Sequence, residues 1–186
     1  MPRSILISAL VLLVAGCSIG PTSSVRPSSA TTTSPASTAS LACQDAIASE
    51  DSPDSYLSVV FNQVALPTSN ALQANHSSEQ DPSARLFAKI GLFIASGDSF
   101  ELIVPAEWVG RLMIGWGNPG IRTTHLHVSG CVANATQKRW LVYAGGYWVG
   151  AAACVPLLVR AGGREQLVQS GIGMACPGQS APPPGA

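Results

Sequence analysis

Arg85–Val104 reads RLFAKIGLFIASGDSFELIV, and this stretch decides the fold class. Phe100, Leu102 and Val104 repeat every second residue, the period of a strand with one buried face; a helix repeats at 3.6. Arg85–Ala95 is equally apolar and aromatic. Ser96-Gly97-Asp98 lies between the two runs, and its Gly and Asp suit a tight turn. The stretch therefore predicts a hairpin of two strands, Arg85–Ala95 and Ser99–Val104.

The same pattern extends in both directions. Ser55–Leu66 precedes it. Leu112, Ile114 and Trp116 alternate before the turn signal Gly117-Asn118-Pro119-Gly120. Arg122–Val128, Arg139–Ala144, Tyr147–Val149, Val155–Ala161 and Arg164–Val168 follow, punctuated by Gly145-Gly146 and Gly162-Gly163. Many short strands and a single brief helix candidate, Ala42–Ser49, predict an all-β domain. Its expected form is an antiparallel β-sandwich, immunoglobulin-like in the loose sense, with a small closed barrel as the alternative. Residues 67–84 are polar without strand alternation and read as a long loop.

Outside the domain the composition changes. Residues 18–41 are nearly all Ser, Thr, Pro, Ala and Gly with Arg26 the only charge, too polar to offset chain entropy by burial. Pro177–Ala186, with three consecutive prolines, reads alike. The expected division is a removed leader over residues 1–16, a tether over 17–41, a domain over 42–176 and a tail over 177–186.

The leader carries a resemblance. Arg3 precedes an apolar run from Ile5 to Val14, too short for the roughly 20 residues of a membrane-spanning helix. Leu13-Val14-Ala15-Gly16-Cys17 resembles the lipobox of bacterial lipoproteins. The resemblance implies cleavage before Cys17, a diacylglycerol thioether on its sulfur and an acylated amino terminus. It places the protein at the cell membrane, anchored by lipid on the extracytoplasmic side. One chain anchors marginally at about 0.8 kcal/mol per methylene, and two or three anchor stably. An ordinary secretory leader is the alternative. The Ala-, Gly- and Ser-rich composition fits an actinobacterial host.

Four further cysteines, Cys43, Cys131, Cys154 and Cys176, form an even set in an exported domain and imply two disulfides with three possible pairings. The expected pairing is Cys131–Cys154 and Cys43–Cys176. No Cys-x-x-Cys spacing suggests zinc, and no cofactor is expected.

The chain is neutral overall, with 10 basic and 10 acidic residues, but the halves differ. Asp45–Glu107 holds nine acidic residues against Arg85 and Lys89, and six basic residues follow Trp108 against Glu165. Interleaved strands would mix these charges in space; segregated halves would make a basic face. Nucleic acid is not an expected partner, for no basic and aromatic cluster is dense enough.

Gly97-Asp98-Ser99 resembles the nucleophile block of the GDSL (SGNH) hydrolases, which implies an esterase serine at Ser99. That family pairs it with an Asp-x-x-His block. Here Arg122 and Thr124 stand three residues before His125 and His127, so the serine lacks its general base. His125 and His127 share one strand face, and a third ligand from Glu101, Glu107 or His76 would be needed to hold an ion. Trp140, Tyr143, Tyr147 and Trp148 form an aromatic group suited to stacking on a ligand, or to filling the core. Asn75-His76-Ser77 and Asn134-Ala135-Thr136 match the N-glycosylation pattern, which a bacterial chain does not use by default. The expected role is a non-catalytic module binding an envelope component or a protein partner. A lipid or carbohydrate carrier is the alternative, and an esterase using Ser99 a third.

Overall fold

The computed structural model describes residues 37–182; the lipobox-like segment with Cys17 lies outside them. The described residues are all β apart from three single-turn 3-10 segments. In chain order the strands are β1 (Thr38–Leu41), β2 (Ala46–Glu50), β3 (Leu57–Val60), β4 (Val64–Pro67), β5 (Asn75–His76), β6 (Leu86–Lys89) and β7 (Leu92–Ala95). They continue as β8 (Ser99–Ile103), β9 (Leu112–Trp116), β10 (His125–Ser129), β11 (Trp140–Tyr143), β12 (Gly145–Val149), β13 (Ala153–Ala161) and β14 (Arg164–Ile172).

Three sheets result. The first runs β1-β10-β8-β13-β14, the second β2-β11-β7-β4-β3 and the third β5-β6-β12-β9. Every pairing between strands is antiparallel except that of β1 with β10. Period-two patterning sets the faces: Leu126, Val128, Leu102, Val155, Leu157 and Val159 are buried. They join Val64, Leu66, Leu92, Ile94, Leu141 and Tyr143 in one core. Each such side chain contributes about 1.5–3 kcal/mol of hydrophobic stabilisation. Pro156 breaks no ladder, because β8 pairs only with Leu158–Arg160 of β13.

The decisive stretch is all β, but its turn is not a hairpin. β7 belongs to the second sheet and β8 to the first, so Ser96–Asp98 crosses between sheets. The backbone there is already committed elsewhere: Ser96 N–H donates to Arg139 O (2.9 Å) and Gly97 N–H to Cys131 O (2.8 Å). Gly97 takes φ +100°, open to glycine at no steric cost. Arg85–Ala95 is likewise two strands, one run bent at Ile90–Gly91 from the third sheet into the second. β11 and β12 bend in parallel fashion across Ala144. Ile90 N–H to Gly145 O (3.0 Å), Gly117 N–H to Ala144 O (3.0 Å) and Trp116 Nε1 to Ile90 O (2.9 Å) lock the paired bends. Gly145-Gly146 thus lies inside a strand. Gly162-Gly163, both at positive φ, does close the β13–β14 hairpin.

Other boundaries also move. The helix expected over Ala42–Ser49 is a 3-10 turn, Cys43–Asp45, followed by β2. Ala46–Glu50 supplies an edge strand that pairs with β11, and tertiary pairing overrides helix propensity. The domain begins before residue 42, because Thr38–Leu41 pairs with His125–Val128. It also extends past 176: Ser180 bridges Asn70, and Gln179 Oε1 accepts from Gly171 N–H (3.0 Å) and Cys176 N–H (3.1 Å). The polar 67–84 stretch is stitched down by Leu72, whose N–H reaches Gly171 O (2.7 Å) and whose C=O accepts from Gly173 (2.8 Å).

The four cysteines do form two disulfides, paired Cys43–Cys131 and Cys154–Cys176. The expected pairing is overturned by register. Leu41 lies opposite Val128, so the chain just beyond each strand brings Cys43 and Cys131 to a Cα separation of 5.2 Å. Cys154 lies opposite Gly171, and the turn after β14 returns Cys176 to it at 5.0 Å. The acidic and basic halves interleave: Arg160 meets Glu101, Arg122 meets Glu79, and Lys138 meets Glu50 and Asp51.

Candidate functional site

The aromatic group divides between core and surface. Trp140, Tyr143 and Tyr147 are buried, and Tyr143 Oη donates to Cys43 O at 3.2 Å. Burial raises the Tyr143 pKa, and the nearby Asp45 carboxylate raises it further. Burial drives Tyr147 higher still, offset only in part by its neighbour Ser170. These three side chains build the core and are not open to a ligand.

Trp148 differs because strand alternation turns it outward. It lies opposite Phe87 on β6 and Met113 on β9, and Phe87 lies opposite Asn75 on β5. The result is one row, Asn75–Phe87–Trp148–Met113, across the third sheet. Phe87, Trp148 and Met113 are half-buried. The two rings stand 4.6 Å apart at 31°. The backbone closes in on two glycines beside them: a Cβ at Gly146 would lie 2.0 Å from Ala88 O and 2.8 Å from the Phe87 ring, and one at Gly115 would lie 2.7 Å from Ile121 O and 3.3 Å from the Trp148 ring. Each ring packs close to a glycine of the sheet, and the Ile121 backbone covers Gly115 as well. Phe87 and Met113 did not stand out in the sequence, for only the pairing of β6 and β9 with β12 sets them beside Trp148.

Lys89 alternates with Phe87 on β6 and carries this face to a cleft of about 480 Å³. Tyr56, Asn70, Gln73, Lys89 and Ile90 are among its lining residues. Burial raises the Tyr56 pKa, and its hydrogen bond to Asp54 raises it again, so the hydroxyl stays protonated. The combination of apolar and aromatic surface with a few amides, a hydroxyl and one cation is the usual composition of a small-molecule site.

His125 and His127 do share the outer face of β10, with Leu126 and Val128 in the core. They enter a ladder across the first sheet: Ser40, His127, Glu101, Arg160 and Glu165 are opposite one another in successive strands. Glu101 Oε1 lies 3.2 Å from His125 Nε2 and 3.9 Å from His127 Nδ1. Its Oε2 accepts from Arg160 Nη1 at 3.1 Å, and Arg160 Nε donates to Glu165 at 2.7 Å. Desolvation raises the Glu101 pKa, but the Arg160 hydrogen bond and the His125 imidazole outweigh it, and the carboxyl falls below its ordinary range. Among the described residues no group of three or more His, Cys, Asp or Glu is placed to hold a metal ion. Ser99 is exposed opposite Ser129, and no hydrogen bond joins it to a histidine among the described residues. Asn75 and Asn134 are both exposed.

No protein-family model matches the chain, and no curated protein matches it.

Proposed function

We propose that this chain is a lipid-anchored, extracytoplasmic binding module of the bacterial envelope, with no catalytic role, that holds saccharide units of an envelope polymer on the open face of its third sheet. The Leu13–Cys17 resemblance supports the anchor, and the two disulfides suit an oxidising compartment. The observation that carries the binding role is the Phe87–Trp148 pair, half-buried over glycines and continuous through Lys89 with a polar-rimmed cleft. Sugar rings have apolar faces that stack on aromatic rings and hydroxyls that bond amides, and both partners are present here.

The test uses insoluble wall polymer purified from the host and the full chain with its disulfides intact. Trp148→Ala should weaken co-sedimentation at least about tenfold, since a central aromatic anchor carries a large share of binding energy. Equal retention of wild type and Trp148→Ala on the polymer would overturn the assignment of this face. The anchor is tested separately. Intact mass of the membrane-associated chain should show residues 17–186 with added acyl mass, and Cys17→Ser should abolish that addition.

A further inference from the structure

The cleft beside the aromatic pair carries charge of one sign. Lys89 is its cation, and no Asp or Glu is among its lining residues. Lys89 is exposed and enters no ion pair among the described residues. The nearest acids along the chain already have partners. Glu79 pairs with Arg122 at 3.2 Å, and Asp81 accepts from Ser83 N–H at 2.9 Å and from Ser83 Oγ at 2.7 Å. Asp54 accepts from the Tyr56 hydroxyl.

The groups left to meet a ligand follow from the same accounting. Three backbone donors of the cleft are spent: Ala71 N–H on Ser180 O (2.9 Å), Leu72 N–H on Gly171 O (2.7 Å) and Ile90 N–H on Gly145 O (3.0 Å). Tyr56 gives its proton to Asp54 and keeps an oxygen that accepts, so it suits a hydroxyl and not an anion. The Asn70 and Gln73 amides and the Lys89 ammonium line the cleft as well, and all three donate. Lys89 also stands two residues beyond Phe87 on the same face of β6, about 6.6 Å along the strand. A saccharide stacked on Phe87 and Trp148 therefore reaches Lys89 with a group carried on that ring or on the next.

We propose that the polymer held on this face is acidic, and that Lys89 pairs with one anionic group, a carboxylate or a phosphodiester, on the stacked unit or its neighbour. The Asn70 and Gln73 amides donate to the oxygens of that group, and the Tyr56 oxygen accepts from a hydroxyl. This role of Lys89 rests on the saccharide reading of the aromatic face and adds the charge of the ligand to it. Arg85 is the only other cation between Asp45 and Glu107 and serves as the control. It follows the 3-10 turn Pro82–Ala84 in helical backbone, outside β6, and does not line the cleft.

The test is co-sedimentation of the full chain, disulfides intact, with three forms of wall polymer purified from the host: native, carboxyl-reduced, and stripped of phosphodiesters with hydrofluoric acid. Wild type should bind at least one treated form about three- to fivefold more weakly than the native polymer, the range of a partly solvated ion pair, and that form identifies the anion. Lys89→Gln should bind the native polymer as weakly as wild type binds that treated form, and should not respond to the treatment. Lys89→Arg and Arg85→Gln should bind like wild type. Undiminished binding of both treated forms by wild type, undiminished binding of native polymer by Lys89→Gln, or an equal loss with Arg85→Gln would each overturn the proposal. In those cases a loss with Trp148→Ala leaves the saccharide reading standing; undiminished binding by Trp148→Ala would overturn both.

Discussion

Tyr147 is fully buried, yet its hydroxyl has no aligned hydrogen bond, and neither has Ser170 Oγ beside it. A buried unsatisfied hydroxyl costs about 1–3 kcal/mol. Tyr147→Phe should therefore raise stability by about 1 kcal/mol in urea unfolding, and a loss of stability would show that the hydroxyl is satisfied after all. Gly145 is the opposite case, since a Cβ there would lie 2.1 Å from Gly115 O. Gly145→Ala should cost about 3 kcal/mol, the upper range for an overpacked site, in the same assay. Glu101 gives the pH dependence. Its folded pKa is depressed, so its contribution is present above the unfolded value of about 4.3 and is lost as pH falls through the lower folded value. Glu101→Gln should be less stable than wild type at pH 7 by a few tenths to about 1 kcal/mol, because the pair is partly solvated. That difference should close in acid; a gap that persisted below pH 3 would mean the carboxylate charge is not its source. The outward pairing of His125 with His127 was legible from their spacing. The partnership with Glu101 was not, because it depends on the register between β8 and β10.

Elements show where sequence reading stops. Alternation in Phe100–Val104 and Leu112–Trp116 revealed strands, since it reports a buried face. It cannot report which sheet a strand joins, so Ser96–Asp98 read as a hairpin and proved a crossing between sheets. For the same reason the Trp140–Trp148 group looked like one cluster. Trp140, Tyr143 and Tyr147 are buried, while alternation along β12 turns Trp148 out. Disulfide pairing depends on register too. The chain-entropy relation assigns about 4–5 kcal/mol to the Cys43–Cys131 link, which closes 88 residues, and about 3 kcal/mol to Cys154–Cys176, which closes 22. The paired alanine variant of the first should lose more than that of the second in denaturant unfolding. The reverse order would mean native-state contacts at Cys176, beside the Gln179 cap, outweigh loop entropy.

At the scale of the molecule, interleaved strands distribute charge, and the acidic and basic halves meet in ion pairs, Arg160 with Glu101 on neighbouring strands of the first sheet and Arg122 with Glu79 between loops. No single-sign face results from these pairs, so association with an anionic polymer should depend weakly on salt; steep loss of binding between low and moderate salt would point to a basic patch instead. If the proposed anchor holds the chain, the place where the chain enters the described fold has a mechanical consequence. Tension from a membrane anchor would reach the fold at Ser37 and run along β1, whose last residue stands only two positions before Cys43. The bond to Cys131 then passes that load to the segment after β10. With the proposed anchor in place, a pull on it could peel no more than β1 before the Cys43–Cys131 link carried the load into the segment after β10.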